Sequence, residues 1–169
     1  MIALTEVVAF NINRITIHLT LSIPIMNNKK YKLVGISLKN LQEKLQKVSY
    51  YIIDKKSMVG QRMLSLIDMR LRQAFLKSNE LFRRRSIIMF GDFRQLLPVL
   101  NLLMYANNTL NDVAFKNELT AYKQFTEMYE LNIVQWQSGE SEEQQRFRDI
   151  LLRLRDGNSN LADWNTLTN

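Results

Sequence analysis

Two short stretches, Tyr50-Tyr51-Ile52-Ile53-Asp54 and Ser86-Ile87-Ile88-Met89-Phe90-Gly91-Asp92, decide the fold of this chain. Each is mainly apolar, rich in aromatic or β-branched side chains, and ends abruptly at an aspartate or at Gly-Asp. Continuous apolar runs of this length are typical of strands that are buried on both faces, as in a parallel sheet. The sequence therefore predicts two such strands, with Asp54 and Asp92 at their carboxyl ends.

Helical patterns lie around these strands. The apolar stripe of residues 37–48 consists of Leu38, Leu41, Leu45 and Val48, with Ser37 as the predicted N-cap. A second stripe, in residues 60–76, consists of Met63, Leu64, Ile67, Leu71 and Ala74. Strands that alternate with helices predict an α/β fold with right-handed crossovers.

A third helix is predicted over residues 142–155. Ser141 and Gln144 have the spacing of a capping box, and Gly157 is placed to end the helix. Its predicted buried stripe is Phe147, Ile150, Leu151 and Leu154.

Composition narrows the possible functions. With 46% hydrophobic and 23% charged residues, the chain is predicted to be globular, and the absence of cysteine excludes disulfides and cysteine-based zinc sites. No apolar run reaches the length of a membrane span, so no membrane partner is predicted. The net charge of +7 favours polyanionic partners such as nucleic acid. The Arg83-Arg84-Arg85 run is predicted to be a solvated loop before a strand.

The strand ends are the candidate site, because ligands of doubly wound sheets bind beyond the carboxyl ends of the strands. An aspartate that closes a buried strand, as Asp54 does, is the Walker B arrangement that holds Mg²⁺ beside a nucleotide. A turn or helix-capping role for Asp54 is the alternative. Gln95 can donate to a phosphate oxygen and accept from a water, or it is simply a surface residue.

The string Gly91-Asp92-Phe93-Arg94-Gln95-Leu96-Leu97-Pro98-Val99 resembles the sensor motif of the PIF helicase family, which includes the helicases of Helitron transposons. Ile52-Ile53-Asp54, followed by Ser57-Met58-Val59, resembles the family's Walker B segment. The resemblance covers nearly the whole chain in the correct motif order. It implies most of a first RecA-like P-loop NTPase domain over residues 1–130, and a segment leading towards a second motor domain over residues 131–169. It also implies that Asp54 and Gln95 bind nucleotide, and that Asp54 holds Mg²⁺ through water.

Two further segments extend the resemblance. Residues 3–12 and Thr16-Ile17-His18 resemble the family motif that touches single-stranded DNA. The DNA-binding residues implied in this way are Thr5, Asn11, Thr16 and His18. For His18 two interpretations stay open, a satisfied structural group and a contact to the DNA backbone. Residues 131–137 resemble the segment where the family carries an arginine sensor.

The sequence departs from the family pattern at three places that affect the expected activity. None of the five glycines precedes a Lys-Ser or Lys-Thr pair, so a phosphate-binding loop is absent from these residues, and the motif order predicts it upstream of Met1. Lys55 stands where the family has a glutamate that activates water, and Trp136 stands where it has arginine.

By resemblance, the function is ATP- and Mg²⁺-dependent 5′–3′ DNA unwinding in the nucleus, with family roles in DNA repair, recombination and telomere maintenance. The departures predict that the isolated chain does not hydrolyse ATP. The alternative is a non-catalytic remnant that binds single-stranded DNA. A sheet that lacks its first strand is also predicted to be prone to aggregation.

Overall fold

The computed structural model describes residues 2–3, 15–24, 32–75, 80–106, 120–133, 139 and 141–168. The predicted site residues Thr5, Asn11 and Trp136 lie outside these ranges. The chain divides into two compact units, Met1–Thr126 and Glu127–Asn169.

The first unit contains a parallel sheet. Its described strands are β1 (Ile2–Ala3), β2 (Ile15–Thr16), β3 (Tyr50–Asp54) and β4 (Ser86–Met89), in the spatial order β2-β1-β3-β4. Every neighbouring pair is parallel, and the β3–β4 register runs from Tyr50 opposite Ser86 to Ile53 opposite Met89. The predicted α/β class with a parallel sheet is confirmed.

The same unit contains the helices α1 (Ile17–Leu21), α2 (Gly35–Leu45) and α3 (Gln61–Ala74). The core consists of buried apolar side chains from these helices and from β3, chiefly Ile17, Leu21, Leu41, Leu45, Tyr51, Ile53, Leu64, Ile67 and Leu71. The predicted stripe of α3 is therefore confirmed. The predicted N-cap of α2 is wrong, because that helix begins two residues before Ser37, with Val34 at the N-cap and no side-chain cap.

The prediction that the strands are buried on both faces is wrong for β3 and β4. Tyr51 and Ile53 are buried, whereas Tyr50 is 65% exposed and Ile88 44% exposed. Side chains of a strand alternate between its two faces, and in β3 only the face of Tyr51 and Ile53 is buried, while in β4 Ile87 and Met89 are half-buried.

The segment before β4 is not the solvated loop that its arginines predict. Residues Leu81–Arg84 form a 3₁₀ turn, in which Phe82 and Arg83 both have left-handed backbone angles. The Phe82 N–H donates to Asp68 Oδ1 at 2.6 Å, and Arg72 Nε donates to Asp68 Oδ2 at 2.7 Å. A buried carboxylate of α3 therefore fixes the turn and offsets the strain of two non-glycine residues at positive φ.

The second unit contains α4 (Glu142–Arg155) and α5 (Leu161–Thr168). Ser141 Oγ accepts the Gln144 N–H at 3.3 Å, as predicted for the N-cap. Gly157, at φ +72°, ends the helix, and the Asn158 N–H donates to Arg153 O at 2.8 Å. Of the predicted stripe only Ile150 is buried, while Phe147 is 42% exposed.

The helices α4 and α5 are joined by one carboxylate. Arg153 donates to both oxygens of Asp163, at 3.0 and 2.6 Å. The Asn160 N–H donates to Asp163 Oδ2 at 3.1 Å, and Asn160 Oδ1 accepts the Asp163 N–H at 2.9 Å. This reciprocal capping box starts α5 and binds it to α4.

Within the described ranges, no helix is long and apolar enough to cross a membrane.

Candidate functional site

The carboxyl ends of β3 and β4 meet, as predicted. Beyond the strands, the Phe90 N–H donates to Ile53 O and the Lys56 N–H donates to Phe90 O, both at 2.8 Å. Gly91 lies at this crossing with φ +133°, and a Cβ there would approach the Lys56 nitrogen to 2.8 Å. Any side chain at position 91 would therefore clash with backbone, which explains the glycine before Asp92.

Asp54 lies at the last position of β3 and is half-buried. Its Oδ1 accepts the N–H of Lys55 at 2.7 Å. Lys55 has left-handed backbone angles, φ 61° and ψ 50°, so the chain reverses sharply after the aspartate. The carboxylate therefore has the turn-forming role as well as the position of a Walker B aspartate.

Gln95 lies in a turn organised by Asp92. The Arg94 N–H donates to Asp92 Oδ1 at 3.0 Å, and the Gln95 N–H donates to Asp92 O at 3.1 Å. The turn brings the Gln95 side chain to Lys55, whose Nζ donates to Gln95 Oε1 at 3.3 Å. The structure thus places together Asp54, Lys55 and Gln95, three of the residues predicted from the sequence.

The residues gathered here fit a magnesium ion poorly. One oxygen of Asp54 accepts the Lys55 N–H, and Lys55 adds a positive charge to the site through the ammonium that donates to Gln95. The described residues contain no group of three or more histidine, cysteine or acidic side chains that could hold a metal.

Lys56 also lies at this site, although the sequence pattern did not indicate a role for it. Its Nζ lies 4.6 Å from the centroid of the Phe93 ring, and that ring packs edge-on against Tyr105 at 5.0 Å. Two adjacent lysines after a strand were visible in the sequence, but their different directions were not. Lys55 reaches Gln95, whereas Lys56 covers the aromatic side chain of the sensor segment.

The loop after the sensor segment is docked on the start of α3. The Gln61 N–H donates to Leu102 O at 3.0 Å, and the Arg62 N–H donates to Asn101 Oδ1 at 3.4 Å. These bonds satisfy amides at the amino end of the helix, which has no cap of its own from Gly60. They hold the sensor segment against the turn that follows β3.

Thr16 and His18 lie at the start of α1, in the segment predicted to touch DNA. Thr16 is buried, and its Oγ1 accepts the Leu19 N–H at 3.4 Å as the N-cap of the helix. His18 is half-buried, and desolvation lowers its pKa below the ordinary value. The structure therefore gives Thr16 a structural role and leaves His18 neutral in the folded chain near pH 7.

Two cationic side chains donate hydrogen bonds to backbone carbonyl oxygens of this segment. Lys44 Nζ donates to Leu19 O at 3.0 Å. The buried Arg70 donates from Nη2 to Ser22 O at 3.0 Å and from Nη1 to Gln73 Oε1 at 3.0 Å. Arg70 lies outside the predicted apolar stripe of α3, yet it is buried and its guanidinium holds the end of α1.

Comparison with known proteins gives the lineage. Residues 1–165 match the model of the PIF1-like helicase family. No curated protein matches the chain. Among solved structures, the chain is similar to Bacteroides Pif1 bound to single-stranded DNA, with a TM-score of 0.70, 24% identity, and coverage of 98% of this chain and 38% of that one.

Two other solved structures show the same fold. Candida albicans Pif1 helicase matches with a TM-score of 0.66 and 24% identity over 96% of this chain and 34% of that one. Bacteroides Pif1 in complex with ADP-AlF3 and single-stranded DNA matches with a TM-score of 0.62 and 23% identity over 96% of this chain and 37% of that one. The chain thus spans little more than a third of the length of these helicases.

The family match covers nearly every residue, and the parallel sheet with its two strand-end motifs agrees with it. The chain belongs to the PIF1-like helicase family, and its fold is that of part of a RecA-like helicase domain.

Proposed function

We propose that this chain binds single-stranded DNA through a helicase motor fold that does not hydrolyse ATP. The observation that carries the proposal is the hydrogen bond from Lys55 Nζ to Gln95 Oε1 at 3.3 Å. By resemblance, residue 55 is the family's water-activating position and Gln95 its phosphate sensor.

A lysine in this position opposes hydrolysis in two ways. An ammonium cannot accept the proton of an attacking water, and loss of general-base assistance costs about 10²–10⁴-fold in rate. Its bond to Gln95 also occupies the amide oxygen that would accept a hydrogen bond from that water. In addition, no phosphate-binding loop sequence occurs in the 169 residues.

DNA binding is supported by three independent observations. The net charge of +7 favours a polyanion. The segment with Thr16 and His18 is held in a defined conformation by Lys44 and Arg70. Among the similar solved structures are Pif1 proteins bound to single-stranded DNA.

The test combines two measurements on the full chain. Phosphate release is followed with ATP and Mg²⁺, with and without oligo-dT, and the binding of a fluorescein-labelled oligo-dT is followed by anisotropy at several salt concentrations. We expect phosphate release at background and salt-sensitive DNA binding that ATP does not change. DNA-stimulated phosphate release that disappears in Asp54→Asn would overturn the first half of the proposal. Absence of DNA binding at low salt would overturn the second half.

A second candidate is ATP-dependent 5′–3′ unwinding by a longer protein that includes these residues. The position of Asp54 at the end of β3 favours it, since the resemblance gives an aspartate there the Walker B role. Its test is the unwinding of a forked substrate by a longer form that contains an intact Gly-x-x-x-x-Gly-Lys-Thr loop. Unwinding that survives Asp54→Asn would reject this candidate.

A further inference from the structure

A small open pocket lies beside the 3₁₀ turn that precedes β4. It has a volume of about 200 Å³ and is lined by Leu81, Phe82, Arg85, Ile87, Gln124 and Phe125. Pockets for drug-sized ligands measure about 300–1,000 Å³, so this pocket suits a single planar group. Four of its lining side chains are apolar, and the others are the amide of Gln124 and the guanidinium of Arg85; these are groups that a nucleobase with an adjoining phosphate can use.

One arginine donor at the pocket lacks an acceptor. Arg85 Nε is a buried atom without a hydrogen-bond partner among the described residues, and two atoms of Arg83, which does not line the pocket, share this property. The charge of Arg85 is faced by an aromatic ring, since its guanidinium carbon lies 4.1 Å from the centroid of Phe75. Buried donors are nearly always satisfied in folded proteins. The unmet Nε of Arg85, a residue that lines the open pocket, therefore indicates an anionic partner.

A row of aromatic rings leads to the same pocket. Phe125 lies 5.9 Å from Phe82 and 6.5 Å from Tyr122, ring centroid to ring centroid. The row continues from Tyr122 to Tyr105 at 6.3 Å and from Tyr105 to Phe93 at 5.0 Å. Tyr105 is 41% exposed, and Phe93, Tyr122 and Phe125 are half-buried.

Cations stand at both ends of this row. Lys56 lies over Phe93 at one end, and Arg85 lines the pocket at the other. Accessible aromatic rings flanked by cations are how proteins bind unpaired nucleotides without regard to sequence, because every base has a face that can stack. If these rings only bordered the hydrophobic core, the arginine donor without an acceptor would have no explanation.

We propose that this pocket binds one unpaired nucleotide of single-stranded DNA, with the base against Phe125 and the phosphate on Arg85. The site is separate from the segment containing Thr16 and His18, so it goes beyond the proposed function while resting on the same DNA partner.

The experiment uses the full chain and an oligo-dT in which one thymine is replaced by 5-iodouracil. Photocrosslinked residues are located by mass spectrometry, and affinity is measured by anisotropy from low to moderate salt. We expect crosslinks at Phe125 or Tyr122. Phe125→Leu, which keeps the apolar volume and removes the ring, should weaken binding about fivefold or more.

Arg85→Gln should reduce the salt dependence of binding by about one released counterion. Lys39→Gln is the matched control, because it removes one charge from an exposed side chain of α2 and should leave the salt dependence unchanged. Gln124→Ala removes an exposed amide from the pocket lining without altering the core, so its effect on DNA affinity reports on the pocket alone. Circular dichroism establishes that each variant is folded.

The possible results separate this site from the proposed function. Crosslinks confined to residues 15–24, with full affinity in Phe125→Leu and Arg85→Gln, would overturn the pocket and leave DNA binding intact. Absence of all DNA binding would overturn both. Displacement of the pocket crosslink by excess free dTMP, with oligonucleotide binding retained, would show a site for free nucleotides and would also overturn the inference.

Discussion

The ammonium of Lys55 lies 3.3 Å from the amide oxygen of Gln95, joining the strand-end turn to the sensor segment. This bond connects two segments that are forty positions apart in the chain. A glutamate at position 55 would present a carboxylate beside Asp54 instead of a cation.

We therefore predict that Lys55→Glu increases the divalent-ion affinity of the chain. Two adjacent carboxylates at the end of β3 supply the oxygen ligands that Mg²⁺ and Mn²⁺ prefer. The measurement is Mn²⁺ binding by electron paramagnetic resonance or calorimetry. Lys56→Glu is the control, since it makes the same change of charge one residue away, where the side chain faces Phe93. Equal Mn²⁺ affinity in the two variants would contradict the prediction.

The single histidine should make folding and DNA binding depend on pH in opposite directions. Burial lowers the pKa of His18 in the folded chain, below an unfolded value of about 6.5. Its contribution to stability is complete above that unfolded value and is lost as the pH falls towards the folded pKa.

A DNA phosphate beside His18 would favour the protonated ring, so we expect DNA affinity to rise as the pH falls from 7.5 to about 6. Anisotropy titrations across this range, compared with His18→Gln, measure the effect. If His18 is only a structural group, the two chains will show the same pH dependence.

Removal of the carboxylate of Asp68 should destabilise the first unit. It accepts the Phe82 N–H at 2.6 Å and Arg72 Nε at 2.7 Å while largely buried. We expect Asp68→Ala to lower the free energy of unfolding by about 2–3 kcal/mol, because a buried amide loses a charged acceptor. Urea denaturation provides the measurement.

The exposed pair Lys39–Glu43, at 3.9 Å, supplies a comparison. Glu43→Ala should change the same free energy by less than about 0.5 kcal/mol. A similar effect from both substitutions would mean that the strained 3₁₀ turn does not depend on Asp68.

In the second unit, Asp163 should make the helix pair sensitive to acid. The hydrogen bonds from Arg153 lower the pKa of Asp163. A carboxylate with a lowered pKa contributes stability above its unfolded value, about 3.9, and that stability is lost as the pH falls through the folded pKa. Helical circular dichroism during acid titration should therefore show a transition that Asp163→Asn removes.

Asn160→Ala distinguishes the capping box from the ion pair. It removes the side chain that accepts the Asp163 N–H and should cost about 1 kcal/mol, while the acid transition remains. Loss of the acid transition in Asn160→Ala would mean that the ion pair depends on the cap.

The sequence by itself determined strands β3 and β4, helices α2, α3 and α4, and the strand-end motifs, but not β1, β2, α1 or α5. Strands β3 and β4 were visible as apolar runs, and α3 as a stripe of period 3.6, because side-chain periodicity is a local property of the backbone. The end of α4 at Gly157 could also be predicted from the sequence, because the left-handed backbone that ends the helix favours glycine. The order of the motifs along the sequence also indicated the family, without any knowledge of contacts between residues.

Tertiary structure alone decided which polar groups meet. Asp68 and Arg70 flank the predicted apolar stripe of α3 as charged residues, and each is buried because a neighbouring segment packs over it and needs a hydrogen-bond partner there. Arg83 and Arg85 read as a solvated run, but the turn fixed by Asp68 folds them against the protein. The meeting of Lys55 with Gln95 depends on the parallel register of β3 and β4, which brings distant strand ends together. No local pattern encodes such contacts, because they depend on where the rest of the chain packs.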